Sequence, residues 1–198
     1  MYKALLLIFF FLLSNLYSQD HNEEEVIFLE EVTVNAIRDY KDRVIIKTEG
    51  KRNATFSVAE KSIFVSRISN IPEGKISSIK FYFNRRKKTN FTENSFRLKI
   101  YHINSELQPG RIINKNDIRF LVTPDHKGEI ELDLLNMDLQ HLTEIYIGLE
   151  LLNNNEELGF SLDCITSSDS FSFYKRANSD EWLKIPNIKI RNQLVVVK

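Results

Sequence analysis

Few side chains in this chain have the type and spacing to do chemistry. The four histidines are His21, His102, His126 and His141, and no two stand at HxH, HxxxH or HExxH spacing. A zinc peptidase needs a His/Glu set to hold the metal and a carboxylate to activate water. No metal is therefore expected, and no cofactor. His102 continues an apolar strand face and reads as a strand-end residue, while His126 and His141 fall in connections and are expected in water. The one cysteine, Cys164, closes the alternation Leu158-x-Phe160-x-Leu162-x-Cys164, which points to a buried thiol and not to a nucleophile. Ser161 stands in Gly159-Phe160-Ser161-Leu162-Asp163, which lacks the second glycine of a nucleophile elbow. Glycoside hydrolysis needs two carboxyl groups about 5–10 Å apart. Glu129, Glu131, Asp133 and Glu150 are the candidates, but alternation makes them acids on the wet face of a sheet. A hydrolase stays an alternative; the expectation is that the protein is not an enzyme.

Binding candidates are better placed. Sugars stack their apolar faces on aromatic rings while polar groups fix the hydroxyls. Tyr174-Lys175-Arg176 and the only tryptophan, Trp182, flank the turn Ala177-Asn178-Ser179-Asp180. As hairpin partners, Tyr174 and Trp182 would form such a platform with Arg176 beside it. The competing expectation makes Trp182 a core or rim residue. Tyr82 and Tyr101, on the polar faces of what read as adjacent strands, form a second platform. Arg85-Arg86-Lys87-Lys88 is the densest charge run. It would meet an anionic partner such as a polysaccharide or lipid phosphate, or form a solvated loop that blocks edge-to-edge aggregation.

These residues need a scaffold, and composition favours strands. The 198 residues hold 22 Ile and 14 Phe against 5 Ala, and β-branched and aromatic side chains fit a pleated sheet. Ile79, Phe81 and Phe83 alternate with Lys80, Tyr82 and Asn84; Phe96, Leu98 and Ile100 alternate with Arg97, Lys99 and Tyr101. The same period of two runs through 118–122, 130–134 and 145–151. Shorter strands read at 44–47, 54–58, 62–68, 158–164, 171–175, 182–185 and 188–197. Turn chemistry at Gly50-Lys51-Arg52-Asn53, Pro72-Glu73-Gly74, Pro109-Gly110, 124–128 and Asn153-Asn154-Asn155 separates them. The best helical candidate, 135–142, covers one or two turns at most. Short strands with one apolar and one polar face predict an all-β fold, an antiparallel two-sheet sandwich of jelly-roll type.

The ends and the charge bound the setting. Lysine plus arginine number 27 and aspartate plus glutamate number 27, so there is no basic excess for nucleic acid. Lys3 precedes ten apolar residues at 4–13, then small and polar residues, the layout of a secretory signal peptide over 1–18. Ten residues at 1.5 Å rise cover about half of a ~30 Å hydrocarbon core, so no permanent span is expected at 4–13, and no second long apolar run suggests one in the mature chain. An acidic leader follows at 19–25, then a first strand at 26–36 and a single β-sandwich domain over 26–198. The expected location is the periplasm, the outer-membrane surface or the exterior. One cysteine makes no internal disulfide, so stability must come from the core.

The run Lys75-Ile76-Ser77-Ser78-Ile79-Lys80-Phe81-Tyr82-Phe83, then Phe96-Arg97-Leu98-Lys99-Ile100-Tyr101, Leu107-Gln108-Pro109-Gly110, Glu131-Leu132-Asp133-Leu134 and Ile145-Tyr146-Ile147-Gly148-Leu149-Glu150 resembles a β-sandwich region of exported bacterial carboxypeptidase-like regulatory-domain proteins. The resemblance covers about 26–185, is structural, and implies no peptidase. Leu29-Glu30-Glu31-Val32-Thr33-Val34 resembles the segment before the plug of TonB-dependent outer-membrane receptors, but no plug or barrel follows. The expected role is accessory and in the cell envelope: capture of a surface glycan on the aromatic platform, adhesion, or assembly with an outer-membrane protein.

Overall fold

The computed structural model describes residues 27–28, 42–85, 93–126, 128–152 and 160–198. The expected signal peptide at 1–18, the expected leader at 19–25, most of the expected 26–36 strand, Arg86, Lys87, Lys88 and the expected turn at Asn153-Asn154-Asn155 lie outside the described residues. The strands are β1 (Ile27–Phe28), β2 (Arg43–Lys47), β3 (Lys51–Phe56), β4 (Ile63–Ile68), β5 (Lys75–Arg85), β6 (Asn94–Ile103) and β7 (Pro109–Ile112). They continue with β8 (Ile118–Val122), β9 (Gly128–Asp133), β10 (Ile145–Leu151), β11 (Phe160–Lys175), β12 (Leu183–Ile190) and β13 (Asn192–Val197).

The fold is all-β, and the strands pair antiparallel except β1, which lies parallel on β8. Hydrogen-bonded neighbours run β1-β8-β6-β10-β4-β11-β5-β13-β2, with β3 and β12 also on β11, β7 on β6 and β9 on β5. β11 is the hub. Its first residues pair with β5, Phe160 opposite Arg85, and with β3, Leu162 opposite Phe56. Its last residues pair with β4, Phe173 opposite Val65. β12 follows it on both sides of an irregularity between Thr166 and Phe171. The expected strands at 158–164 and 171–175 are thus one long strand, because the polar run Ser167-Ser168-Asp169-Ser170 interrupts its apolar alternation without ending its pairing.

One apolar cluster draws on both runs of strands that meet at β11. Phe64, Leu98 and Ile147 join Ile79, Phe81, Leu194 and Val196 in it, all nearly inaccessible. Period-two alternation supplies these side chains, since every second residue of a strand faces the same way. On β5, Ile79, Phe81 and Phe83 are buried while Lys80 and Tyr82 are half-buried. The break at Pro72-Glu73-Gly74 is kept, and Gly74 takes φ 146°, a conformation other residues rarely adopt.

Three expectations are corrected. Residues 135–142 form turns and bends, and no helix occurs among the described residues. The backbone there is committed to β5: the Leu134 N–H donates to the Ser77 carbonyl (2.8 Å), and the Leu139 carbonyl accepts from Ile76 (2.9 Å). Pro109-Gly110 opens β7, and the reversal comes earlier, where the Asn104 side chain accepts from the Glu106 and Gln108 N–H groups. Residues 51–53 belong to β3, leaving a tighter turn before them. Among the described residues no helix is long and apolar enough to cross a membrane.

Candidate functional site

The Tyr174 and Trp182 platform does not form. The β11–β12 hairpin exists, but its register sets Tyr174 opposite Leu183. Trp182 lies one residue beyond, and the two rings join different clusters. Tyr174 packs edge-on against Phe56 (5.5 Å) at the main core. Trp182 packs edge-on against Tyr101 (5.4 Å) and Phe173 (6.4 Å) in a second cluster with Val65 and Tyr146. Arg176 stays exposed at the turn. Tyr101 and Phe173 sit on β6 and β11, with β10 and β4 between them. Strands lie about 4.8 Å apart, so the Trp182 indole reaches across the faces of the two intervening strands. Tyr146 is buried beneath this layer, and its phenol donates to the Leu107 carbonyl (2.6 Å). Burial pushes the Tyr146 phenol up to about 12 and the Tyr101 phenol up as well.

The second platform is not formed either, because Tyr82 is on β5 and Tyr101 on β6, which are not neighbours. Arg191 stacks on Tyr82, with its guanidinium carbon 3.8 Å from the ring centroid. Arg85 is exposed at the end of β5.

The carboxylates divide among separate partners. Glu129 and Glu131 flank Lys80 at 2.7 and 3.3 Å. The hydrogen bond that Lys80 donates to Glu129, followed by the charge and hydrogen bond of Glu131, holds its ammonium above its ordinary range. The Asp133 carboxylate accepts from the Leu135 N–H (2.8 Å). Glu150 of β10 pairs with Lys99 (3.0 Å) and Arg97 (3.3 Å), both on β6. Ser161 is buried on β11. His102 is half-buried, and His141 is exposed. His126 was expected in water, but its ring lies edge-on to Phe83 and Phe160, each at 6.3 Å. No group of three or more His, Cys, Asp or Glu that could hold a metal occurs among the described residues.

Cys164 is buried, and desolvation pushes its thiol up to about 12, the neighbouring Asp163 charge adding to this. The thiolate is the reactive form. The native chain is therefore expected to resist iodoacetamide at pH 8 and to be alkylated in urea. Rapid alkylation without denaturant would show the burial to be wrong.

The residues that do converge went unnoticed in the sequence. A polar cleft of about 600 Å³ opens where β4 ends, β10 begins and β11 is irregular. Arg67, Asn70, Glu144, Asp169, Phe171 and Lys189 line it. Arg67 points an amino group at the Glu144 carboxylate as an ion pair. Asn70 is held in the left-handed region, φ 57°, which asparagine tolerates better than most residues. Ser170 donates to the Ser167 carbonyl (2.8 Å), closing the irregular stretch that carries Asp169. Phe171 is half-buried; Lys184 lies 4.2 Å from its ring centroid, and Phe173 meets it edge-on. One ring with carboxylates, an amide and cations around it can stack a sugar and fix its hydroxyls. The visible signal was the polar interruption at 167–170. No protein-family model, curated protein or solved structure matches this chain.

Proposed function

We propose that this chain is an exported, non-catalytic binding module of the cell envelope that captures a surface glycan in the cleft around Phe171. The observation that carries the reading is the lining of that cleft: a half-buried aromatic ring beside Asp169, Glu144, Arg67 and Asn70, in a volume of saccharide size. The signal-like residues 1–18 support export. The resemblance to the exported carboxypeptidase-like regulatory-domain region supports an accessory role. A two-sheet sandwich of jelly-roll type is part of the proposal, supported by the one cluster that draws on both runs of strands.

Glycan-array screening of the chain without 1–18, followed by calorimetric titration, tests it. Asp169 is exposed, so Asp169→Ala should leave the melting curve unchanged while affinity falls by about tenfold or more, the worth of one charged hydrogen bond. A silent array, or affinity that survives both Asp169→Ala and Phe171→Ala, overturns the reading.

A second reading is a structural protein that assembles with an outer-membrane partner through 26–36. The observation favouring it is that Ile27–Phe28 pairs in parallel with Ile118 and Arg119 of β8. Addition of an extended segment to a sheet edge is a common mode of protein recognition. Deleting 19–36 leaves glycan affinity unchanged under the first reading; under the second it abolishes recovery of the partner from envelope extract.

A further inference from the structure

A second cleft of about 370 Å³ adjoins the first and shares Arg67, Ser69, Asn70 and Lys189 with it. Lys47, Thr48 and Asn192 complete the part that matters. Asn192 is only 4% exposed, yet its Nδ2 has no hydrogen-bond partner. The Asn192 backbone N–H donates to Thr48 Oγ1 (3.0 Å), and Thr48 Oγ1 lies 2.9 Å from Asn192 Oδ1. With the Thr48 hydrogen on the amide oxygen, and not on the Ile190 or Asn192 carbonyl oxygen each 3.1 Å away, the NH2 group is left over. Arg67 repeats the situation: Glu144 takes Nη2, while Nε is buried without a partner. Two residues that line this cleft, Arg67 and, in that orientation, Asn192, thus each keep a buried donor without an acceptor, and a buried donor is costly to leave unsatisfied.

The charge points the same way. Lys47, Arg67 and Lys189 line this cleft against one carboxylate, Glu49. Across the shared wall stand Glu144, already paired with Arg67, and Asp169. A ligand group that satisfies two N–H donors among cations is an oxyanion.

We propose that the second cleft binds an oxyanion, and that the captured glycan is an acidic saccharide. Its ring lies at Phe171 and its carboxylate or sulfate ester reaches Asn192, Arg67 and Lys189. The inference rests on the glycan reading for the ring and on the second cleft alone for the anion.

The test is calorimetric titration of the chain without 1–18 with trigalacturonate, with neutral galactotriose and with inorganic sulfate. Trigalacturonate should bind about tenfold or more tighter than galactotriose, and the gap should shrink as salt rises, as charge-assisted bonds require. Asn192→Asp keeps the shape and the Thr48 contact but replaces the donor with a carboxylate; it should remove the preference. Lys189→Gln, at a half-buried position, should reduce it without moving the melting curve. Equal affinity for the two saccharides overturns the anion site and leaves the glycan reading standing. Sulfate binding that is lost in Asn192→Asp, with both saccharides silent, supports the anion site and overturns the glycan reading. Silence of all three probes overturns both.

Discussion

Gly148→Ala is expected to destabilise this protein more than the same change at any other glycine among the described residues. Gly148 sits in the middle of β10, opposite Val65 of β4 and Lys99 of β6. A Cβ built there would lie 1.9 Å from the Phe64 carbonyl oxygen, 2.6 Å from the Val65 Cα and 2.8 Å from the Phe64 carbonyl carbon. All three are backbone atoms, so no side chain can rotate away. Relief requires β4 to shift against β10, and β4 is also paired with β11 through Val65 and Phe173. Phe64 and Val65 are fully buried, one in each apolar cluster, so the shift would disturb packing on both faces. Overpacking costs typically 1–3 kcal/mol and more when backbone must move, so a loss of about 3 kcal/mol or more is expected. For a chain of this size that lowers Tm by roughly 6–12 °C. Gly110→Ala is the control, since its nearest contact is the Asn104 Cβ at 3.2 Å, and about 1 kcal/mol or less is expected there. Thermal melts of the two variants decide the matter. If Gly148→Ala melts with the parent, the close approach of β10 to β4 is wrong.

The strands were legible in the sequence because alternation is a local property. β8, β9 and β10 fall within one or two residues of where period two places them. What alternation does not report is whether the second face is wet. Tyr146 and Asp163 occupy the polar phase of their strands, yet both are buried. Side chains from remote strands lie over them: the Trp182 layer in one case, two arginines in the other. The expected aromatic platform failed on parity. A hairpin register that sets Tyr174 against Leu183 sends Trp182 to the opposite face, and a one-residue slip reverses every side chain. The clefts were invisible for another reason. Their residues come from 46–49, 67–71, 143–144, 167–171 and 189–192, and the pairing of β2, β4, β10, β11, β12 and β13 assembles them. No local spacing encodes that. Cys164 was readable because its burial follows from the alternation of its own strand, whereas the partners of Glu129, Glu131 and Glu150 come from neighbouring strands.

Asp163 gives the other large expected effect, and the effect is asymmetric. Its side chain is only 4% exposed, and its Oδ2 accepts from Arg52 Nε (2.6 Å) and Arg191 Nη1 (2.9 Å). The arginines are 59% and 29% exposed. Arg52 belongs to β3, Asp163 to β11, and Arg191 to the link between β12 and β13, whose N–H also donates to the Asp163 carbonyl (2.9 Å). Removing the carboxylate leaves two guanidinium groups that can turn toward water. Removing both guanidinium groups leaves a charge with no counterpart in a place water does not reach. Breaking a buried ion pair from that side costs about 3–5 kcal/mol. Arg52→Met with Arg191→Met is therefore expected to lose that much stability in equilibrium urea unfolding. Asp163→Asn alone, which keeps the shape and sheds the charge, is expected to cost about 2 kcal/mol or less. Adding Asp163→Asn to the double arginine variant should restore most of the loss, because the unpaired charge is what made it unstable. If the triple variant is no more stable than the double, the arginines act by covering Asp163 and Tyr82 with their stems, and the electrostatic account of this junction fails.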